Sequence, residues 1–274
     1  MSWEDIKKMA AEESLPLHTV AAEIIQIAFL EGLYSQKESE NIIFHGGTAI
    51  RLLHGGYRYS EDLDFTGNQS SYEQIRKAVE KSLSTTKNLL MLSMGPVHIE
   101  LKARPPKQKR IFAWWLRVSP PGYHGKIHVK LEFGQYPAYQ PKPLPVTRRQ
   151  PFLEVQPLIL SISIEELYLD KINALAGRSY MKERDLLDMW YLTKIFNPQI
   201  DFDLLIKKFE DYRTEKPVQT LKKRLAEMDP KALAISMEKF LPEKYRHTFQ
   251  TNQYREVIET NQKLIHTLLE KLDK

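Results

Sequence analysis

A glycine turn followed by two closely spaced carboxylates is the feature that most constrains this chain. Residues 46–65 read GGTAIRLLHGGYRYSEDLDF. The apolar run at residues 42–44 predicts a buried strand, which the two glycines end before a helix from Thr48 to Leu53. Glycines let a phosphate approach the backbone, and Thr48 can cap the helix or bond a phosphate oxygen. The segment therefore predicts a strand, a turn and an anion-binding helix start.

The two carboxylates that follow favour a divalent cation. The alternation in Asp62-Leu63-Asp64-Phe65 predicts a strand with both aspartates on one face and the two apolar side chains in the core. Two neighbouring carboxylates repel each other, and a cation between them removes that repulsion. Oxygen ligands alone favour Mg²⁺ or Mn²⁺.

A two-metal site generally needs a further acidic ligand, and two glutamates compete for that position. The strand at residues 127–133 has apolar side chains at its odd positions, so Glu132 shares a face with His128 and Lys130. Glu100 alternates in the same way on another predicted strand. For either glutamate, the alternative is an exposed sheet face with cross-strand Lys–Glu pairs.

Taken together, the motifs resemble the AbiEii/AbiGii family of nucleotidyltransferase toxins, which occur in bacterial abortive-infection and toxin–antitoxin systems. The resemblance rests on GGTAIRLL, RYSEDLDF, KINALAGR at residues 171–178 and RDLLD at residues 184–188, and it covers about residues 20–195. It implies an α+β fold: a nucleotidyltransferase core like that of DNA polymerase β, with a mixed sheet, N-terminal helices and a mainly helical C-terminal part.

The resemblance also implies the site and its chemistry. Asp62, Asp64 and Glu132 become the ligands of Mg²⁺ or Mn²⁺, with Glu132 favoured over Glu100. The implied nucleotide-binding residues are Gly46, Gly47, Thr48, Arg58, Ser60, Lys171 and Arg178. Asp185 acts in the site or orients Lys171 or Arg178. The spacing of Asp188, four residues after Arg184, predicts instead a structural ion-pair partner. Without the resemblance, pairing of Lys171 with Glu165 or Glu166 on an exposed helix would be favoured.

The implied reaction moves a nucleoside monophosphate from an NTP to an RNA acceptor, the 3′ end of tRNA. The family also implies an AbiEi-type antitoxin encoded nearby. Two alternatives remain: transfer to a protein or small-molecule hydroxyl, and a non-catalytic protein that binds nucleotide or RNA. The base of the NTP is not indicated by the sequence.

Clustered basic residues around aromatic ones suggest a surface for RNA. They are Lys102, Arg104, Lys107, Lys109, Arg110 and Arg117, and they surround Phe112, Trp114 and Trp115. The alternative is a β-hairpin with core aromatics and solvated lysines. Further basic residues are expected on ordinary solvent faces: Lys207, Lys208, Lys222, Lys223 and Arg224.

Composition, hydrophobic periodicity and the positions of prolines indicate how the chain is organised. It has 274 residues, no cysteine and a net charge of +5. We expect no membrane segment and a cytoplasmic protein. Periodicity predicts helices at residues 3–13, 17–34 and 72–82 and strands at 97–102, 110–119 and 126–133. Prolines predict an irregular loop from Pro137 to Pro145. This loop divides a catalytic domain at residues 1–140 from a mainly helical domain at 141–274.

Overall fold

The chain divides into two compact units, Met1–Ile162 and Ser163–Lys274. The structure is a computed structural model, and it describes residues 1–67, 70–105, 110–147, 152–153, 156–249 and 251–272. The first unit combines helices with a sheet, and the described part of the second is helical. This confirms the predicted α+β class with a helical C-terminal part. No helix in the described ranges is long and apolar enough to span a membrane.

The first unit is built on one mixed sheet of seven strands among its described residues. Its α-helices are α1 (Trp3–Glu12), α2 (Leu17–Tyr34), α3 (Gly46–His54) and α4 (Tyr72–Met94). Its strands are β1 (Ile43–His45), β2 (Asp62–Thr66), β3 (His98–Arg104), β4 (Ile111–Ser119), β5 (Ile127–Gly134), β6 (Pro141–Pro145) and β7 (Leu158–Ile162). Their order is β3-β4-β5-β2-β1-β7-β6. The pairs β2–β5 and β1–β7 are parallel, and the other neighbours are antiparallel.

Aromatic and aliphatic side chains fill the core between this sheet and α2 and α4. Helix α2 is apolar on nearly all sides, and most of its residues are buried. Helix α4 approaches α2 closely at Gly32, where a Cβ atom would lie 2.6 Å from the Ser82 carbonyl oxygen. The rings of Phe65 on β2 and Phe133 on β5 stack with centroids 4.7 Å apart. Tyr72 of α4 stacks on Trp114 of β4 at 5.7 Å.

The second unit encloses two basic side chains that the sequence analysis placed on solvent faces. Its helices are α5 (Ile164–Gly177), α6 (Glu183–Phe196), α7 (Phe202–Asp211), α8 (Pro217–Glu227), α9 (Pro230–Met237), α10 (Glu243–Thr248) and α11 (Thr251–Leu272). Lys208 is 1% exposed and lies 2.6 Å from Glu166 and 2.8 Å from Asp170. Arg224 is also 1% exposed and donates to the Leu175 carbonyl at 3.2 Å. The prediction was wrong for these two because each reaches buried acceptors; Lys207, Lys222 and Lys223 are exposed as predicted.

Most of the predicted helices and strands are confirmed within a few residues, and two differ in extent or type. Helix α4 continues to Met94 instead of ending at residue 82. The predicted irregular loop from Pro137 to Pro145 is wrong over its second half, which forms β6. An edge strand tolerates alternate prolines because only every second N–H group points toward its partner. Strands β6 and β7 extend the sheet, so the first unit reaches Ile162 rather than residue 140.

A buried ion pair holds the loop between α3 and β2. Arg51 of α3 donates from Nε to Glu23 of α2 at 2.8 Å, and both residues are buried. Its Nη1 donates to the carbonyls of Gly56 at 3.1 Å and Tyr57 at 3.2 Å. Burial opposes the charge of Arg51, but Glu23 outweighs it and raises the pKa of the guanidinium. The pair therefore ties the loop to the core helix α2.

We predict that Glu23→Gln lowers the free energy of unfolding by about 3 kcal/mol, because it leaves the Arg51 charge buried without its counter-ion. The control is Glu73→Gln, which removes an exposed partner of Arg76 on α4 and should cost at most about 1 kcal/mol. Chemical denaturation of both variants measures the difference. Equal losses in the two variants would contradict the prediction.

Candidate active site

Three carboxylates lie on one face of two neighbouring strands. In the parallel pair β2–β5, Asp62 is opposite Lys130 and Asp64 is opposite Glu132. The alternate residues Leu63 and Phe65 are buried, whereas both aspartates and Glu132 are half-exposed. Alternation along each strand therefore turns all three carboxylates away from the aromatic core.

Lys130 lies within this acidic group. It forms an ion pair with Glu132. Burial lowers the pKa of Lys130, but the hydrogen bond and charge of Glu132, together with the charges of Asp62 and Asp64, raise it overall. The alternation of β5 predicts that Lys130 shares a face with Glu132, but it does not predict a role for the lysine. The structure identifies it as the cation that balances the carboxylates.

The competing glutamate, Glu100, lies elsewhere on the sheet. It is on β3, and strands β4 and β5 separate it from the two aspartates on β2. It accepts hydrogen bonds from Lys126 at 2.6 Å and from Arg117 at 3.3 Å. The Lys126 hydrogen bond is the main cause that lowers the pKa of Glu100. Glu100 therefore has the cross-strand ion pairs that the sequence analysis gave as its alternative.

The glycine turn packs directly against the carboxylate strand. Helix α3 begins at Gly46, two residues earlier than predicted. Gly46 has a φ of +82°, and a Cβ atom there would lie 2.6 Å from Oδ2 of Asp64. Buried Thr48 donates its hydroxyl to the Asp62 carbonyl oxygen. Only glycine fits at position 46, because the backbone is left-handed there and the carboxylate occupies the space of a side chain.

Arg58 and Ser60 lie beside the second glycine. Arg58 is 3% exposed and donates from Nη1 to the Tyr59 carbonyl at 3.1 Å. A Cβ atom at Gly47 would contact the Arg58 guanidinium and lie 3.3 Å from Oγ of Ser60. The positive charge of Arg58 is thus next to the start of α3, where helical N–H groups attract anions.

The two tryptophans of the basic aromatic hairpin lie on opposite faces of β4. Trp114 is buried, and its ring contacts Phe133 and Tyr72. Trp115 is half-buried and lies between Lys102 and Lys130 in the cross-strand register. Trp115 therefore shares the carboxylate face, and Trp114 belongs to the core. Lys107 and Lys109 lie outside the described residues.

Lys171, Arg178, Asp185 and Asp188 meet in the second unit. Lys171 is buried and lies 2.7 Å from a carboxylate oxygen of Asp185 and 2.7 Å from one of Asp188. Arg178 pairs with the second oxygen of Asp185, and its side chain is 38% exposed. Buried Arg224 donates to the Arg178 carbonyl and so anchors the end of α5. Lys171 is thus not the exposed partner of Glu165 or Glu166, the arrangement favoured without the resemblance.

The carboxylates of the first unit fit a divalent cation in ligand type. Asp62, Asp64 and Glu132 offer only oxygen donors, which suit Mg²⁺ or Mn²⁺. Within the described ranges, no group of three His, Cys, Asp or Glu side chains is arranged to hold a metal ion. The Lys130–Glu132 ion pair gives a reason, since it directs Glu132 toward a lysine. Binding of a cation by Glu132 requires this pair to open.

Two solved structures have a fold similar to that of this chain. The chain matches a crystal structure described as a candidate nucleotidyltransferase from H. pylori, with 17% identity and a TM-score of 0.58 over 94% of this chain and 99% of that chain. It also matches JHP933 from Helicobacter pylori, with 17% identity and a TM-score of 0.55 over 94% of this chain and 96% of that one. At this identity the likeness shows a shared fold. A comparison with curated proteins found no match.

The class of the protein is given by its sequence, through a family that covers most of the chain. The sequence profile of one family, described as nucleotidyl transferase AbiEii toxin of a type IV toxin–antitoxin system, matches residues 28–260. The chain belongs to this family, which confirms the resemblance inferred from its motifs. It is a nucleotidyltransferase.

We predict that Gly46→Ala lowers nucleotidyl transfer by about 100-fold or more, because the added methyl group displaces Asp64. The matched control is Gly122→Ala, which has a φ of +69° but open space around the added Cβ atom. Both variants strain the backbone, and only the first disturbs a carboxylate. Initial rates of the two variants are compared under conditions in which the unmutated protein is active. Full activity of Gly46→Ala would contradict a role for the close approach of Gly46 to Asp64.

Proposed function

We propose that this protein transfers a nucleoside monophosphate from an NTP to the 3′ end of tRNA, as the toxin of its toxin–antitoxin system. The observation that carries the chemistry is the register of β2 and β5, which aligns Asp64 with Glu132 and keeps Asp62 on the same face. The start of α3 packs against that face. The carboxylates that we propose for a metal are thus adjacent to the N–H groups that we propose for phosphates.

In the proposed reaction, the acceptor hydroxyl loses its proton and its oxygen attacks the α-phosphorus. The bond from that phosphorus to the bridging oxygen breaks, and pyrophosphate leaves. Asp62, Asp64 and Glu132 would hold Mg²⁺ or Mn²⁺. When bound, such an ion stabilises the charge on the phosphates and lowers the pKa of the hydroxyl.

The protein's own groups would position the leaving phosphates. Gly46, Gly47 and Thr48 form the first turn of α3, where the N–H groups have no partner within the helix. Arg58 adds a full positive charge beside them. Ser60 offers a hydroxyl near Gly47. These donors are fixed by the buried contacts around α3, so little reorganisation is required when the triphosphate binds.

We also propose Lys171 and Arg178 as cations that neutralise the triphosphate, with Asp185 orienting both. This assignment comes from the family motif. Their contacts add one condition: Lys171 already has two carboxylate partners and Arg178 has one. A phosphate would therefore compete with Asp185 for these cations, and the more exposed Arg178 is the easier of the two to reach.

The proposed acceptor is RNA because of the basic residues around Trp115, and tRNA because of the family. The family is one of toxin–antitoxin systems, and we propose an AbiEi-type antitoxin encoded nearby as the partner. We propose the cytoplasm as its location. Transfer to a protein or small-molecule hydroxyl uses the same carboxylates, so only an acceptor assay separates these reactions.

We predict that label from an α-labelled NTP enters tRNA with the unmutated protein and falls by about 1,000-fold in Asp64→Asn. Asparagine keeps the shape of the side chain and removes the charge that a divalent cation requires. Asp203→Asn, at an exposed position of α7, is the matched control and should keep full activity. Each of the four NTPs is tested in turn with total bacterial tRNA.

Two further arms of this assay identify the acceptor and the metal. tRNA oxidised by periodate at its 3′ ribose should take up no label, and EDTA should abolish transfer until Mg²⁺ or Mn²⁺ is restored. Absence of label in tRNA with every nucleotide would refute the tRNA proposal. Label on the protein itself would assign a protein acceptor instead.

We predict different effects for truncation of the two second-unit cations. Arg178→Met should raise the KM for the NTP several-fold and leave the melting temperature nearly unchanged, since its side chain is partly exposed. Lys171→Met should also lower the melting temperature, because it leaves Asp185 and Asp188 buried without their shared cation. Steady-state kinetics and thermal unfolding of both variants test this. An unchanged KM in both would contradict the triphosphate role.

A further inference from the structure

We propose that the polar face of β3, β4 and β5 binds the unpaired RNA strand that leads to the acceptor hydroxyl, with Trp115 as the platform on which a base stacks. This inference rests on the proposed function, since it takes RNA as the acceptor. The inference goes beyond the proposed function because it assigns a surface and a stacking residue to the RNA strand.

One aromatic ring of β4 lies on the polar face of the sheet, outside the core. Trp115 is half-buried and points away from the core that contains Trp114. The Arg104 guanidinium carbon lies 5.2 Å from the centroid of the Trp115 ring. The His128 ring meets it edge-on at 5.9 Å. An indole with a guanidinium over its ring forms a cationic aromatic site, where a nucleobase can stack on the guanidinium plane or take its place on the ring.

A row of residues across the sheet links this ring to the carboxylates. Lys102, Trp115, Lys130 and Asp62 are cross-strand neighbours in that order. Because opposed residues of paired strands share a face, all four side chains lie on one side of the sheet. Lys102 is exposed and has no ion pair among the described residues. Its charge is therefore available to a phosphate, whereas those of Lys130 and Arg117 are matched by Glu132 and Glu100.

The distance from this ring to the carboxylates matches the length of a short RNA strand. Trp115 on β4 is two strands from Asp62 on β2, and neighbouring strands lie about 4.8 Å apart, so the two positions are separated by about 10 Å. Stacked nucleotides rise about 3.4 Å each, so a strand of about three nucleotides spans this gap. A short single-stranded end thus reaches from the platform to the reacting centre.

A stacking side chain also constrains the state of the RNA that it can bind. Bases inside a duplex are covered by their neighbours on both faces, and an aromatic side chain can stack only on a base that is exposed. The platform therefore selects an unpaired end. The 3′ terminus of tRNA has this form, and its terminal hydroxyl is the proposed acceptor.

The test measures tRNA binding without NTP, so that turnover does not contribute. Fluorescence anisotropy of labelled tRNA is compared for the unmutated protein, Trp115→Ala and Trp115→Phe. The same tRNA without its unpaired 3′ nucleotides serves as the second ligand. Trp115→Ala should weaken binding of the intact tRNA about tenfold and leave binding of the trimmed tRNA unchanged. Trp115→Phe keeps a stacking ring and should retain most of the affinity.

A matched pair of lysine variants tests the charge. Lys102→Ala should weaken binding and reduce the slope of log K against log salt by about 0.7, the value for one phosphate contact on a single strand. Lys87→Ala removes the same charge from an exposed position of α4 and should change neither quantity. Thermal unfolding of each variant shows whether weaker binding is due to a loss of folding. If Trp115→Ala does not fold, Trp115→Phe and Lys102→Ala still test the surface.

The outcomes separate this inference from the proposed function. Equal affinity of Trp115→Ala and the unmutated protein for intact tRNA would overturn the platform, even if transfer to tRNA is observed. Loss of the preference for intact over trimmed tRNA in Trp115→Ala supports it, even if no label enters tRNA. If Trp115→Ala lowers the affinity for intact and for trimmed tRNA to the same extent, Trp115 contacts RNA without selecting the unpaired end. That result would also overturn the proposal.

Discussion

The parallel pairing of β2 with β5 is the constraint on which the candidate site depends. The stacked rings of Phe65 and Phe133 lie on the core side of this pair, and Asp64 and Glu132 lie opposite each other on the other side. A slip of one residue would move the carboxylates into the core and the rings into solvent, because side chains alternate with a period of two. Hydrophobic packing therefore fixes the register, and the register aligns the acidic groups.

Aligning like charges carries an electrostatic cost that Lys130 offsets. Its pKa is raised although burial acts against it, which shows that the surrounding carboxylates outweigh desolvation. The second unit uses the same device, with Lys171 between Asp185 and Asp188. In both units a lysine makes a close set of carboxylates compatible with the folded state. A cation bound by the first set would take over the role of Lys130 and leave that lysine to interact with an anionic substrate.

Local periodicity predicted much of this fold, and the differences arise where distant contacts decide. Alternation placed Asp62 and Asp64 on one face, but the choice between Glu132 and Glu100 depends on which strand pairs with β2, and such pairing joins segments far apart in sequence. The burial of Lys208 depends on Glu166 and Asp170 of another helix. The strand β6 depends on an available edge of the sheet, which proline content does not show.

Trp114 and Trp115 show how one hydrophobic pattern links the core to the proposed RNA surface. Neighbours in sequence, they lie on opposite faces of β4, and the core contacts of Trp114 with Tyr72 and Phe133 fix the orientation of Trp115. The same alternation orients the carboxylates two strands away. Core positions cannot change without loss of packing, whereas positions on the polar face can. Differences in acceptor preference between proteins of this fold should therefore arise on the face that contains Lys102, Arg104 and Trp115, because that face can vary while the register that aligns the carboxylates stays the same.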